Sequence, residues 1–255
     1  MASTLFLRLA AFALALATAA LLALPCAAQT RQSGAEFLTP QLLAMQTDAD
    51  QNPATLWIEQ GREQWRGQCQ SCHADDSALN AAARFPVISG QGRLINLEDQ
   101  INVCRQRIGQ TAVSTEDAQT LALSAWLHAK AKGLRIQVQP PSVEASQPWS
   151  EALAKGAAQY TQRVGRMNLA CVHCHDGKVG KNLRAEVISP AHPTGFPVYR
   201  LNWQTLGSID RRLRACYSGV QASVPASGST ELRQLELFLK VRANGMPLDG
   251  PSVRR

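Results

Sequence analysis

Apolar residues recur along this chain in a helical rather than a strand rhythm, and they do so twice. Leu56, Trp57, Ile58 and Trp65 mark a stretch that can start at Pro53 and runs into Cys69. Leu121, Trp126 and Leu127, with Ala122 and Ala125, give residues 116–132 one apolar side. Ser114 and Asp117 supply a capping signature there, and Gly133 a stop. The same design returns over residues 231–243, where Leu232, Leu235, Phe238 and Leu239 share a helix with Arg242, Thr230 stands as cap and Gly245 as terminator. No stretch alternates steadily with period two. The expected class is mainly α.

The repetition extends beyond the helices. Cys69-Gln-Ser-Cys72-His73 recurs 102 residues later as Cys171-Val-His-Cys174-His175. Phe85-Pro86-Val87-Ile88 recurs as Phe196-Pro197-Val198-Tyr199, and a helical stretch ending in Cys104 recurs as one ending in Cys216. The Phe-to-Cys offset is 19 residues in the first copy and 20 in the second. Between the copies, residues 137–148 carry Pro140, Pro141 and Pro148 without apolar period and read as a linker. The expected organisation is an extension at 29–49, one domain at 50–136 and a second at 149–255, related by duplication.

Residues 1–28 read differently. Arg8 precedes an Ala/Leu-rich run interrupted only by Thr18. Pro25-Cys26-Ala27-Ala28 then offers small residues for cleavage before Gln29. The run is short for a membrane anchor and no basic cluster follows it, while Pro25 is a poor neighbour for a lipidated Cys26. The expectation is export with signal removal and no stable membrane insertion. The chain then works in a compartment where thiols oxidise easily.

Charge changes the picture little. Lys and Arg number 26 against 19 Asp and Glu, a net +7, but the basic residues form no long stripe, so nucleic-acid binding is a poor reading. The seven cysteines change it more. One leaves with the signal peptide. Four belong to the two C-x-x-C-H motifs, which are the pattern of covalent c-type haem attachment: two thioethers and an adjacent axial His. A zinc site would need two more ligands per motif, and a thioredoxin-like pair leaves the repeated His unexplained. The expected cofactors are two c-type haems on Cys69, Cys72, Cys171 and Cys174, with His73 and His175 bound to iron.

The second axial ligand decides the chemistry. Past Met1 only Met45, Met167 and Met246 remain, none between His73 and the end of the first domain. His128 has no counterpart in the second copy. Cys104 and Cys216 are the repeated candidates, and a thiolate lowers the haem potential. A Cys104–Cys216 disulfide and inert core cysteines are the alternatives. The copies diverge around these cysteines. Arg211, Arg212 and Arg214 precede Cys216, and Arg212 at i−4 shares its helical face, where a guanidinium favours thiolate and can hold an oxyanion. A solvated basic face is the plainer reading of that run. Arg200 and Arg242 are further candidates to line the pocket. Trp126 and Trp203 read as packing residues, His173 as outward-pointing and His192 as a surface loop residue.

Two haem motifs, each with a lone downstream cysteine, resemble the SoxA subunits of L-cysteine S-thiosulfotransferase. The matching elements are Cys69–His73 with Cys104, Cys171–His175 with Arg212 and Cys216, and the terminal Gly-Pro-Ser-Val-Arg-Arg tail. The resemblance implies two tandem cytochrome c-like domains in a periplasmic protein. It implies iron ligation by His73, Cys104, His175 and Cys216, with Cys216 catalytic and modified to a persulfide, and Arg212 in contact with substrate. It further implies a heterodimer with a SoxX monohaem cytochrome, and oxidative transfer of thiosulfate onto a cysteine of a SoxYZ carrier. Gln100 stands where the second copy has Arg212, so the first haem is expected to be structural or a vestige. The competing reading is a dihaem electron-transfer cytochrome without covalent sulfur chemistry, which predicts Met ligation.

Overall fold

The first cysteine motif sits at the end of one helix and the second forms a short helix of its own; hairpin strands and two more helices follow each. The structure, a computed structural model, describes residues 31–73 and 76–255. The expected signal peptide lies outside the described residues. A 3-10 turn (Gly34–Phe37) and helix α1 (Pro40–Thr47) lead in. Helix α2 (Ala54–Gln64) passes through a π turn (Trp65–Cys69) into the first motif. A 3-10 segment (Asp76–Ala83), strands β1 (Val87–Ile88) and β2 (Leu94–Ile95), helix α3 (Leu97–Arg107) and helix α4 (Ala118–Lys130) complete the first half. The second half runs through α5 (Ser146–Thr161) and the motif helix α6 (Cys171–His175). After them come β3 (Asn182–Leu183), β4 (Glu186–Val187), β5 (Val198–Arg200), β6 (Thr205–Gly207), α7 (Ile209–Gly219), α8 (Thr230–Arg242) and β7 (Ser252–Arg254).

Local chemistry explains most boundaries. Asp117 caps α4 by accepting from the Gln119 amide, so that helix starts later than its acidic lead-in suggests. Ser229, not Thr230, caps α8, accepting from Leu232 N. Asn96 and Ser208 cap α3 and α7 in the same way, and Cys104 and Cys216 each lie eight residues beyond their cap. The one-residue difference between the copies is therefore upstream of the caps, in the hairpin turns. Ile88 pairs with Leu94 across five turn residues, whereas Tyr199 pairs with Leu206 across six. Strands this short have no room to show a period of two. The C-terminal tail adds β7 parallel to β5, making a three-stranded sheet in order β6-β5-β7. Both Phe-Pro bonds, 85–86 and 196–197, are cis.

Each half is built on one helix crossing that glycine permits. A Cβ on Gly61 of α2 would collide with the Ala122 carbonyl and Trp126 Cβ of α4; one on Gly156 of α5 would collide with the Gln234 carbonyl and Phe238 Cβ of α8. The halves do not separate at the expected linker. Ile136 and Val138 are buried, Ile136 N donates to Met246 O, and Val138 N donates to Asn244 Oδ1. Helix α5 already begins at Ser146, inside the expected 137–148 segment. Within 137–148, prolines and polar side chains therefore hid one core residue, Val138, and a helical turn. One apolar cluster joins Leu97, Ile101, Leu123 and Trp126 of the first half to Trp149, Leu237, Met246 and Leu248 of the second. The extension packs mainly on the second half: Gln46 Oε1 accepts from Val253 N and Arg254 Nη1, and Ser33 bonds Asp249.

A buried polar seam runs between the halves. Arg233 of α8 binds Asp99 bidentately at 2.6 and 3.0 Å and reaches Asp210 at 3.3 Å. Asn96 donates to Glu236, Ser124 donates to Glu98, and Ser208 bonds Glu116. Burial, with Glu98 nearby, pushes the Glu236 carboxyl up to about 8. Burial, then the Lys240 charge, pulls His128 down to about 3.

Candidate active site

Around the second motif, α6 is a single helical turn that presents Cys171 and Cys174 three residues apart. His173 folds back to accept from Ala170 N at 2.9 Å and stays out of the pocket. His175 donates its Nδ1 hydrogen to the Ser189 carbonyl at 2.7 Å. That bond fixes the tautomer and leaves Nε2 as the lone-pair nitrogen. Cys216 of α7 faces this ring within hydrogen-bonding reach. Burial alone would raise the Cys216 thiol. Arg212, the His175 ring and Arg200 outweigh it, and the net shift is downward, toward thiolate.

The three arginines before Cys216 have separate duties. Arg211 stacks on Trp203, 4.3 Å from the ring centroid, and donates to Leu206 O. Arg214 donates Nε to Pro225 O at 3.1 Å. These two are structural, so the basic run is not a solvated face. Arg212 alone turns toward Cys216, and Arg200 of β5 joins it with its side chain only 5% exposed. Arg242 lies elsewhere: its guanidinium covers the Tyr160 ring and binds Asp176 at 2.7 Å, beside Cys171 rather than Cys216. His192 is tied to the Gln32 carbonyl rather than loose on the surface.

Two partners escaped the sequence reading. Glu186 of β4 binds both Arg200 and Arg212, and the Ser189 carbonyl orients His175. The first is an isolated acid 30 residues before Cys216, and the second is a backbone group; neither has a motif.

The first motif repeats the plan with different neighbours. Trp65 stacks on His73 at 5.5 Å between centroids and on Trp126 at 4.8 Å. Cys104 lies close enough to Cys69 for its charge to raise that thiol, which together with burial reaches about 11. Cys216 stands in the same relation to Cys171, also at about 11. All six described cysteines are free, and each lone cysteine sits by its own motif. A disulfide between them finds no support in this arrangement. Gln100 donates Nε2 to Cys104 Sγ at 3.3 Å, where the second site has Arg212. His128 is buried against Ser124, and Met246 is in the core. Met167 is exposed.

These residues fit covalent haem. The paired thiols border apolar clusters that hold Cys69 in one half and Cys171, Val172 and Phe196 in the other. At the second site the free His nitrogen and an anion-favouring thiol face each other, a donor pair that would suit a haem iron.

The model of the SoxA/TsdA cytochrome c domain matches residues 54–136. The L-cysteine S-thiosulfotransferase subunit SoxA of Pseudaminobacter salicylatoxidans is 30% identical over 234 residues, spanning 88% of this chain and 80% of that protein. The chain belongs to the SoxA family. The SoxA subunit of Allochromatium vinosum is 35% identical over 170 residues, 65% of this chain and 59% of that one. A crystal structure of SoxXA from P. pantotrophus has a chain that superposes with a TM-score of 0.80 at 25% identity, covering 88% of this chain and 87% of that one. The segment matched as a cytochrome c domain contains Cys69, Cys72 and His73, so covalent c-type haem is a property of this SoxA-family chain.

Proposed function

We propose that this chain is the SoxA-type subunit of an L-cysteine S-thiosulfotransferase, with the chemistry at Cys216. The observation that carries the reading is the convergence on Cys216 of the free face of His175 and two guanidiniums, Arg212 and Arg200. Two haems are attached, through Cys69 and Cys72 and through Cys171 and Cys174. His73 with Cys104, and His175 with Cys216, complete the two iron environments. The two halves are cytochrome c-like domains of one duplication, 50–136 and 149–255, supported by their common order of helix, motif, hairpin, cysteine helix and closing helix.

Thiosulfate is a small dianion, and the paired guanidiniums draw it to the pocket and orient its oxygens. Arg212 places the outer sulfur against Cys216 Sγ. One S–S bond forms between the Cys216 thiolate and that sulfur, and two electrons leave. The haem, when bound, supplies an iron that accepts electrons singly. A thiolate of the carrier then displaces Cys216 and takes the S–SO3 group, returning Cys216 to thiolate. The carrier is SoxYZ-like and the electron partner a SoxX-like monohaem cytochrome in a heterodimer. That pairing draws support from the SoxXA structure superposed above. Export behind residues 1–28 puts the protein in the periplasm, and no helix among the described residues is long and apolar enough to cross a membrane.

The test is Cys216→Ala in the haem-loaded protein with partner and carrier. Thiosulfate-dependent reduction of the cytochrome disappears. Turnover that survives the change refutes the transfer reading and leaves a dihaem electron carrier.

A further inference from the structure

The group that binds Arg212 in this structure is a carboxylate of the chain itself. Glu186 holds the Arg200 guanidinium through Oε1, and its Oε2 stands 4.0 Å from Arg212 Nη2. The two contacts are unequal. Arg200 is buried, stacks on Trp203 at 5.2 Å and donates Nε to Asn202 Oδ1. Its partnership with Glu186 is close. The Arg212 contact is at the limit of an ion pair, with both side chains more than a third exposed. Glu186 is thus anchored by one arginine and lent to the other.

Its support is slight. Strands β3 and β4 form a two-residue hairpin whose turn residue Arg184 has φ 57°. Asn182 and Leu183 are exposed. An isolated ribbon of this size has little stability of its own. The hairpin leads directly to Ser189, whose carbonyl orients His175, so Glu186 is carried by the segment that also sets the axial histidine.

We infer that Glu186 is a built-in competitor for the substrate-anion site, a positioning residue that occupies Arg212 until thiosulfate displaces it. This rests on the reading of the Cys216 pocket as the thiosulfate site. A tethered carboxylate competes at high effective concentration, so a passing monoanion gains little by replacing it. Thiosulfate brings twice the charge and several acceptor oxygens. On displacement Arg200 keeps its partner, so no buried charge is left bare; only the loose, solvent-screened contact is given up. Glu186 therefore sets the affinity for the anion without touching the reacting sulfur.

The test is calorimetric titration of the haem-loaded heterodimer with thiosulfate, carrier absent, beside steady-state kinetics with carrier present. Glu186→Gln is the informative change, because its carbonyl oxygen still accepts from Arg200 while the charge on Arg212 is gone. It binds thiosulfate about two- to fivefold tighter, the range an exposed ion pair commands, and sulfate becomes a measurable inhibitor. The KM falls while kcat stays within about twofold. Glu186→Asp keeps the charge beside Arg200 but draws it back from Arg212, and shifts affinity the same way by less. Unchanged or weaker binding in either variant overturns the inference, since a scaffolding role would weaken binding or lower kcat. Arg212→Gln serves as the control. If it binds thiosulfate as the parent does, the site reading itself fails, whatever Glu186 does.

Discussion

The two cysteine sites share an order of elements and differ at two positions that bear on the sulfur. Counting from the shared Phe-Pro-Val, Ser89 occupies the place of Arg200; counting back from the cysteine, Gln100 occupies that of Arg212. Caps, hairpin pairing and the cap-to-cysteine distance match. At one site a neutral carboxamide hydrogen-bonds the sulfur. The other is cationic, and its sulfur is pulled toward thiolate. The lesson is that the two halves repeat one order of elements, while two guanidiniums in one of them change the charge around the sulfur.

The sharpest way to break that contrast is to remove each cysteine in turn. Cys216→Ala lowers thiosulfate-dependent turnover by roughly a thousandfold or more, as deletion of a nucleophile does. Cys104→Ala changes the absorption spectrum of the first haem and leaves turnover within about twofold. Equal losses would erase the distinction between the sites.

Arg212→Gln converts the second site toward the first. Loss of a charge-assisted, two-pronged contact raises the thiosulfate KM about 10- to 100-fold, with haem content by mass unchanged. A loss of only a few-fold moves most of the anion-binding role to Arg200, and no loss at all removes the anion from this pocket.

The scaffold comparison comes next. Gly61→Ala and Gly156→Ala each push a methyl into a backbone carbonyl, and each costs about 1–3 kcal/mol in urea unfolding. If only one is costly, the two helix crossings are not equivalent. The smallest effect belongs to Gln100→Arg. With Ser89 still in place, one added guanidinium brings no thiosulfate turnover to the first site, and overall kcat stays within about twofold.

The chemistry was easier to read from the sequence than the architecture. Cysteine and histidine spacing is set by covalent attachment, and Arg212 by helical periodicity, so both show in a linear string. The closing helices were visible because caps and apolar faces are local. The hairpins were not, since strands of two or three residues carry no period. Ile136 and Val138 gave no warning of their pairing with Met246 and Asn244, because those partners lie far along the chain and bond through a backbone carbonyl and a lone carboxamide. Glu186 was invisible for the same reason: its partners lie 14 and 26 residues away with no motif between them.

The buried seam ties the second half to the first. Arg233 of the reactive half has its strongest partner in Asp99 of the other, and Glu236 leans on Asn96. Replacing Cys69, Cys72 or His73 touches none of these contacts. Removing the polypeptide around them would take away the bidentate carboxylate and leave Arg233 to Asp210 and Glu236 alone, at 3.3 and 3.8 Å, deep in the second half. The first half thus serves the second as a keel, through contacts that owe nothing to a cofactor.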